Sequence, residues 1–223
     1  MVEKDFSHAE LLDMLKNGNI PQKQIAAMKI DMVNEAEAEI LISNLTGCDG
    51  KIREAVALKV NQLLNSDKKY IQIFSKYYLP FAKATIDING NICRLVVDSV
   101  AILKIDKGFC EGYLPNLLEY IKEAFQGLDN IVFRDKKYTV NKQLFKLYWC
   151  LEGLKLFAAD MERNTLFPIL ERASNEREYT IREKTAQILL CVDESKYLPL
   201  TDKLKNDENY YVREVFNHPC NIS

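Results

Sequence analysis

The sequence predicts an all-α fold, a right-handed α-solenoid of about six stacked helix pairs. Three observations predict it. A short phrase returns at helix-like starts: Asp49-Gly50-Lys51-Ile52-Arg53-Glu54, Asn89-Gly90-Asn91-Ile92-Cys93, Tyr179-Thr180-Ile181-Arg182-Glu183 and Tyr210-Tyr211-Val212-Arg213-Glu214. The apolar positions behind each start superpose when the chain is shifted against itself. Glycine (8) and proline (6) are sparse in 223 residues of 48% hydrophobic content, which argues against disorder and against a turn-rich β fold. A helix start recurring at this spacing marks an array in which each unit packs on its neighbours.

The elements follow in order. A first helix starts at Ser7, where Glu10 three residues on completes a capping box. Leu11, Leu12 and Leu15 give it an apolar face, and Asn17-Gly18-Asn19 ends it. Pro21 occupies the first turn of a second helix, whose expected apolar face is Ile25, Met28 (or Ala26) and Met32. A third helix spans 34–45 with Ile40, Leu41 and Leu45 buried. After the turn Gly47-Cys48-Asp49-Gly50, a fourth helix carries Ile52, Val56, Val60 and Leu63 on one stripe.

A shift of 40 residues brings Gly90, Ile92, Val96, Val100 and Leu103 onto Gly50, Ile52, Val56, Val60 and Leu63. Shifts of a further 48, 41 and 31 bring Val140, Leu144, Tyr148 and Leu151, then Ile181, Thr185, Leu189 and Val192, then Val212 and Phe216. Thirty residues backward, Ala57-Leu58-Lys59-Val60 overlays Ala27-Met28-Lys29-Ile30. Inner helices therefore start near residues 21, 51, 91, 139, 179 and 210. Their partners lie near 7–17, 34–46, 67–85, 110–126, 160–173 and 194–205. Pro80, Pro115, Pro168 and Pro199 fall within partner helices and predict kinks. The segment 127–138 reads as a loop or short hairpin insert, with Ile131-Val132-Phe133 strand-like, inside one repeat domain covering 1–223. Tyr77-Tyr78 and Tyr210-Tyr211 straddle helix faces, so one tyrosine of each pair is expected in the core.

Composition narrows function. Thirty basic and 32 acidic residues leave a net charge of −2, without the basic excess a nucleic-acid partner needs. No run of 18 apolar residues occurs, so no membrane span is expected. The start Met1-Val2-Glu3-Lys4-Asp5 lacks the apolar core of a signal peptide, and a cytoplasmic location is expected. Six cysteines without a C-x-x-C pair suit a reducing compartment and offer no zinc or redox site. The two histidines, His8 and His218, have no triad setting. No phosphate loop, nucleophile elbow or metal spacing is present, so neither a cofactor nor an enzymatic activity is expected.

The recurring phrase resembles the HEAT-repeat family, including the HEAT-like repeats of bacterial phycobilin lyases. There the second helix of each pair opens with an acidic residue or glycine, then Val/Ile-Arg, then small residues. Asp49…Ile52-Arg53-Glu54-Ala55-Val56-Ala57 fits best, and Ile181-Arg182-Glu183 and Val212-Arg213-Glu214 fit well. Cys93 and Asn141 stand where arginine is expected, with Arg94 and Lys142 one place later. The resemblance covers nearly the whole chain, implies a solenoid fold and names no substrate. Enzymes of this class set the alternatives. Its di-iron hydroxylases use His-Glu pairs, which this chain lacks. Its DNA glycosylases use a basic groove with tryptophans and a carboxylate, and its phycobilin lyases handle a tetrapyrrole with a partner subunit.

The recurring arginine has a structural reason as well. It lies in the first turn beside the apolar stripe, within reach of an acidic residue of its own turn or of the next repeat. Asp49 and Asp207 are the natural partners of Arg53 and Arg213, and a ladder of such pairs would hold the stacking register. The expected function is a non-enzymatic scaffold that binds a protein or peptide along the concave face. A few aromatic and arginine side chains would carry most of the energy. The candidates are Trp149, Lys142 and Lys146, with the ridge Arg53, Arg94, Arg182 and Arg213. The last helix, cut short by His218-Pro219, offers a route to self-association through the terminal repeats.

Overall fold

The computed structural model describes residues 5–129 and 142–218, and among these every regular element is a helix. The chain forms two compact units, Met1–Asn116 and Leu117–Ser223.

The first unit begins with α1 (His8–Asn17), α2 (Ile20–Lys29) and α3 (Glu35–Ser43). All three open with reciprocal capping boxes, Ser7 with Glu10, Asn19 with Gln22 and Asn34 with Glu37. Each box satisfies backbone N–H groups that a helix start leaves open. Then follow α4 (Gly50–Ser66), α5 (Lys69–Phe74), α6 (Tyr78–Thr85), α7 (Gly90–Leu103) and the start of α8 (Lys107–Asp129). Asp49 and Asn89 cap α4 and α7 by accepting N–H groups of the first turn. Helices α2, α4 and α7 pack side by side as the inner row. Ile52, Val56, Val60 and Leu63, and Ile92, Val96, Val100 and Leu103, are buried as the shift of 40 predicts.

The face of α2 is a correction. Ala26, Ala27 and Ile30 are buried, whereas Ile25 (39%), Met28 (59%) and Met32 (59%) are exposed. Both stripes satisfy a helical period, and the larger side chains misled the assignment. The backward shift of 30 carries the right answer, because Ala57 and Val60 are buried and Leu58 is 41% exposed, as their counterparts Ala27, Ile30 and Met28 are. In α3, Ala38, Leu41 and Ile42 are buried and Ile40 is only half-buried.

The partner predicted over 67–85 is divided into α5, a 3-10 turn over Ser75–Tyr77, and α6. Pro80 has no N–H to give the carbonyl of Lys76, so the α-helix restarts just before it. Pro80 therefore starts a helix rather than kinking one, and Pro199 does the same in the second unit. Pro115 and Pro168 do lie inside helices. Phe109 and Tyr113 stack at 5.3 Å, with Phe81 edge-on to Phe109 at 5.8 Å. The buried Tyr113 hydroxyl meets Thr85 Oγ1 at 2.8 Å. Gly112 lies under the Tyr78 ring, where a Cβ would come within 2.5 Å of ring carbons, so only glycine fits without moving that ring.

The second unit holds the rest of α8, then α9 (Lys142–Lys155), α10 (Arg163–Ala173), α11 (Tyr179–Leu189), α12 (Leu198–Lys205) and α13 (Tyr210–Asn217). Its inner row is α9, α11 and α13. In α9 the register differs from prediction. Leu147, Leu151 and Leu154 are buried at the spacing of Val56, Val60 and Leu63, while Leu144 and Tyr148 are half-buried. The predicted shift was three residues short. A slip of three moves a helix pattern by nearly one turn and leaves it on almost the same face, so periodicity tolerates the error. The place of Arg53 thus falls on Leu144, not Asn141. The expected insert begins as helix, since α8 runs to Asp129, and its remaining positions lie outside the described residues, as do Val140 and Asn141. Both Tyr210 and Tyr211 are exposed, Tyr78 is exposed and Tyr77 is half-buried, so neither tyrosine pair supplies a core residue. No helix among the described residues is long and apolar enough to cross a membrane.

Candidate functional site

The recurring arginine builds a clamp. In the first unit, Arg53 Nη1 donates to the carbonyls of Gly47 (2.9 Å) and Cys48 (3.0 Å). Its Nε and Nη2 donate to Asp87 Oδ2 (2.6 Å) and Oδ1 (3.1 Å) at the start of the next inner helix. In the second unit, Arg182 repeats this atom for atom. Nη1 donates to the carbonyls of Glu176 (2.8 Å) and Arg177 (2.9 Å), and Nε and Nη2 close on Asp207 at 2.7 and 3.0 Å. A planar guanidinium reaches three acceptors at once, which an ammonium cannot do in this geometry. The seated aspartate is part of a turn: Asp87 Oδ1 accepts the N–H of Asn89, Asp207 Oδ1 that of Asn209, and each asparagine caps the following helix.

The partner of Arg53 is therefore Asp87 and not Asp49, whose carboxylate is taken up in capping α4. Asp207 is seated on Arg182, and Arg213 reaches only its backbone carbonyl. The spacing Asp-x-Asn before a helix start, present twice, is the signal that sequence reasoning passed over. Where cysteine replaces arginine, the Cys93 thiol donates to the carbonyl of Asp87, six residues back, at 3.1 Å. Burial first, then the Asp87 carboxylate, pushes that thiol up to about 12, so Cys93 stays protonated and packs. Arg94 does not take over the clamp and stands exposed. At the equivalent place in α2, Lys23 reaches Asn44 Oδ1 at 3.1 Å.

The clamp makes stability depend on acid. Burial alone would raise the Asp207 carboxyl, but hydrogen bonds from Arg182 and the Asn209 N–H outweigh it and hold its pKa below the ordinary value. A carboxyl depressed on folding contributes stability that is present above its unfolded pKa, about 3.9, and is lost as pH falls through the folded value. In urea titrations, the stability gap between the chain and Asp207→Asn is expected to be constant from pH 7 to 5 and to shrink below pH 4. A gap unchanged down to pH 2.5 would show that the carboxylate contributes nothing.

The free faces of the inner rows are the candidate binding surface. In the first unit, Met28 and Leu58 hold equivalent positions on adjacent helices, and Ile25 on α2 and Met32 just past its end are exposed too. Glu54 beside them accepts from the side-chain amides of Asn89 (3.2 Å) and Asn91 (3.1 Å).

In the second unit, Trp149 is half-buried, with Phe145 edge-on at 6.3 Å and Tyr148 at 5.3 Å. Its indole N–H is buried without a hydrogen-bond partner among the described residues. Alongside runs a charge cluster. Glu152 binds both Lys184 and, at 3.2 Å, Lys155. Lys184 also donates to Gln187 Oε1 (3.0 Å) and lies 4.8 Å from the Tyr148 ring centre. Burial raises Glu183. Lys146 pairs with Glu123 at 2.6 Å and covers the Tyr120 ring, while Lys142 is exposed. Three of the lysines around Trp149 thus share two carboxylates, Lys155 and Lys184 on Glu152 and Lys146 on Glu123.

The predicted candidates therefore separate. Lys146 and Trp149 share α9 with Lys142. Arg53 and Arg182 hold neighbouring helices together with nearly all their donors. The exposed Ile25, Met28, Met32 and Leu58 were absent from the candidates because the first three read as core and Leu58 was assigned no face. No cluster of histidine, cysteine and carboxylate able to hold a metal exists among the described residues.

No family model matches the chain, and no curated protein does. Solved structures do. An engineered protein superposes with a TM-score of 0.58 at 11% identity, covering 94% of this chain and 93% of that one. A computationally designed armadillo repeat protein for modular peptide recognition gives 0.55 at 10% identity, covering 93% and 96%. A designed armadillo repeat protein in complex with the peptide (KR)4 gives 0.56 at 10% identity, covering 94% and 96%. At such identity the likeness concerns the fold, which is that of a helical-repeat solenoid. The two designed neighbours are of armadillo type, and the HEAT subtype rests on the sequence phrase alone.

Proposed function

We propose that the chain is a non-enzymatic binding scaffold that holds a peptide segment of a partner protein along the free faces of its inner helices. The observation that carries this reading is the apolar row of α2 and α4. Met28 and Leu58 hold equivalent positions on neighbouring helices, and Ile25, one turn before Met28, and Met32, just past the end of α2, are exposed as well. A soluble repeat rarely aligns large apolar side chains toward water unless something covers them. Methionine suits such a surface because its flexible thioether adapts to varied partners. Covering the row contributes about 25 cal/mol per Å² of apolar surface removed from water. In the second unit, Trp149 is the residue type that most often anchors an interface. The designed neighbours named for peptide recognition support the same use of this fold.

The test is selection of binders from a random peptide library against the whole chain. Selected peptides should bind the double variant Met28→Glu/Leu58→Glu at least tenfold more weakly. They should bind Lys107→Glu, altered on the outer helix α8, as they bind the parent. Peptides that ignore the first variant, or a library that yields no binder, would sink the reading.

A further inference from the structure

The third copy of the clamp is half filled. Arg213 Nη1 donates to the carbonyls of Asp207 and Glu208, the same six- and five-residue reach that Arg53 and Arg182 use. In those two copies Nε and Nη2 are closed by the aspartate of an Asp-x-Asn turn. No described residue places an acceptor on Nε or Nη2 of Arg213. The side chain instead lines a cleft of about 470 Å³ together with Lys205, Tyr210, Glu214, Phe216 and Asn217. The other ionisable side chains of the cleft have contacts of their own. Lys205 pairs with Glu194 at 2.7 Å, and Glu214 accepts from Asn217 (3.0 Å) and contacts His218 Nε2 (3.1 Å). Arg213 is thus a half-buried cation, held in orientation by two backbone carbonyls and without a carboxylate partner among the described residues. Its backbone bonds fix the guanidinium before anything binds, which removes much of the ordering cost of association.

We propose that this fork is a docking site for an acidic helix start of the Asp-x-Asn type, presented by a partner protein and seated as Asp207 is seated on Arg182. The filled copies define the ligand. It offers two carboxylate oxygens to Nε and Nη2, and it carries an asparagine two residues on whose N–H turns the carboxylate toward the fork. Tyr210 and Phe216 supply apolar walls for the first turn of the incoming helix.

The probe is a helix-stapled peptide copying residues 207–217, with its ends blocked, added to the ¹⁵N-labelled full chain while the arginine Nε–H resonances are followed by NMR. The expected result is a saturable shift at Arg213, with Arg53 and Arg182 unmoved as internal controls. Asparagine in place of the peptide's first aspartate should weaken binding at least tenfold. Arg213→Lys, which keeps the charge and loses the fork, should weaken it as much. No shift at Arg213, or equal binding by the aspartate and asparagine peptides, overturns the proposal. If the unliganded chain instead grows in mass with concentration and Arg213→Lys abolishes that growth, the occupant is a second copy, and the assignment to a different partner is overturned.

Discussion

Replacing Arg182 by alanine is expected to cost about 3–5 kcal/mol of folding stability. The side chains of the pair are only 9% and 7% exposed, so removal of the guanidinium leaves the Asp207 carboxylate buried without its counter-charge. The carbonyls of Glu176 and Arg177 lose their donor at the same time. An exposed ion pair would give 1 kcal/mol or less, so the size of the loss distinguishes a brace from a surface contact. Arg182→Lys should recover less than half of it, because one ammonium cannot span three acceptors. Arg53→Ala should behave like Arg182→Ala, since Arg53 and Asp87 repeat the arrangement. Urea titration of each variant reads the difference, and a loss below 1 kcal/mol for Arg182→Ala would contradict the assigned role.

Glu152→Ala is the second large effect, expected at about 3 kcal/mol by the same cost of stranding a buried charge. Glu152 matches both Lys155 and Lys184, and its side chain and that of Lys184 are only 15% and 11% exposed. Burial alone would lower the Lys184 pKa, and Glu152 is what reverses this and holds it above the ordinary value. Without Glu152 the Lys184 pKa falls below that of the unfolded chain. The unfolded state then binds more protons, so the deficit of the variant should shrink as pH rises from 7 toward 10. The double variant Glu152→Met/Lys184→Met removes both charges and should regain most of the loss, as apolar replacements of buried pairs commonly do. A single variant no weaker than the double one would show that the pair is not a buried charge couple. Because this cluster flanks Trp149, its variants also report whether the binding face depends on it.

The repeat phrase made most of the fold legible. Starts at Gly50, Gly90, Tyr179 and Tyr210 fall where expected because an i, i+4, i+8 stripe is a local property, as are the side-chain caps Asp49, Asn89 and Asn209 at three of them. Helical periodicity left two things open, which of two opposite stripes is buried and which neighbouring turn is in register. It cannot by itself tell Ala26, Ala27 and Ile30 from Ile25, Met28 and Met32. Nor can it tell Leu144 from Leu147 when the spacing between repeats changes. The clamp partners were hidden for a different reason: Asp87 lies 34 residues beyond Arg53, and only tertiary packing selects it over the adjacent Asp49. The binding surface was least legible, because an exposed apolar row is written in the same alphabet as a core.

The central claim is that a partner peptide lies on the free face of the inner helices, and methyl NMR of the chain's five methionines tests it most directly. With a library-selected peptide added to the ¹³C-methyl-methionine chain, the account predicts saturable shifts at Met28 and Met32, while the half-buried Met14 and Met161 stay in place. Shifts confined to Met14 or Met161, or none at a concentration that saturates binding, would contradict it.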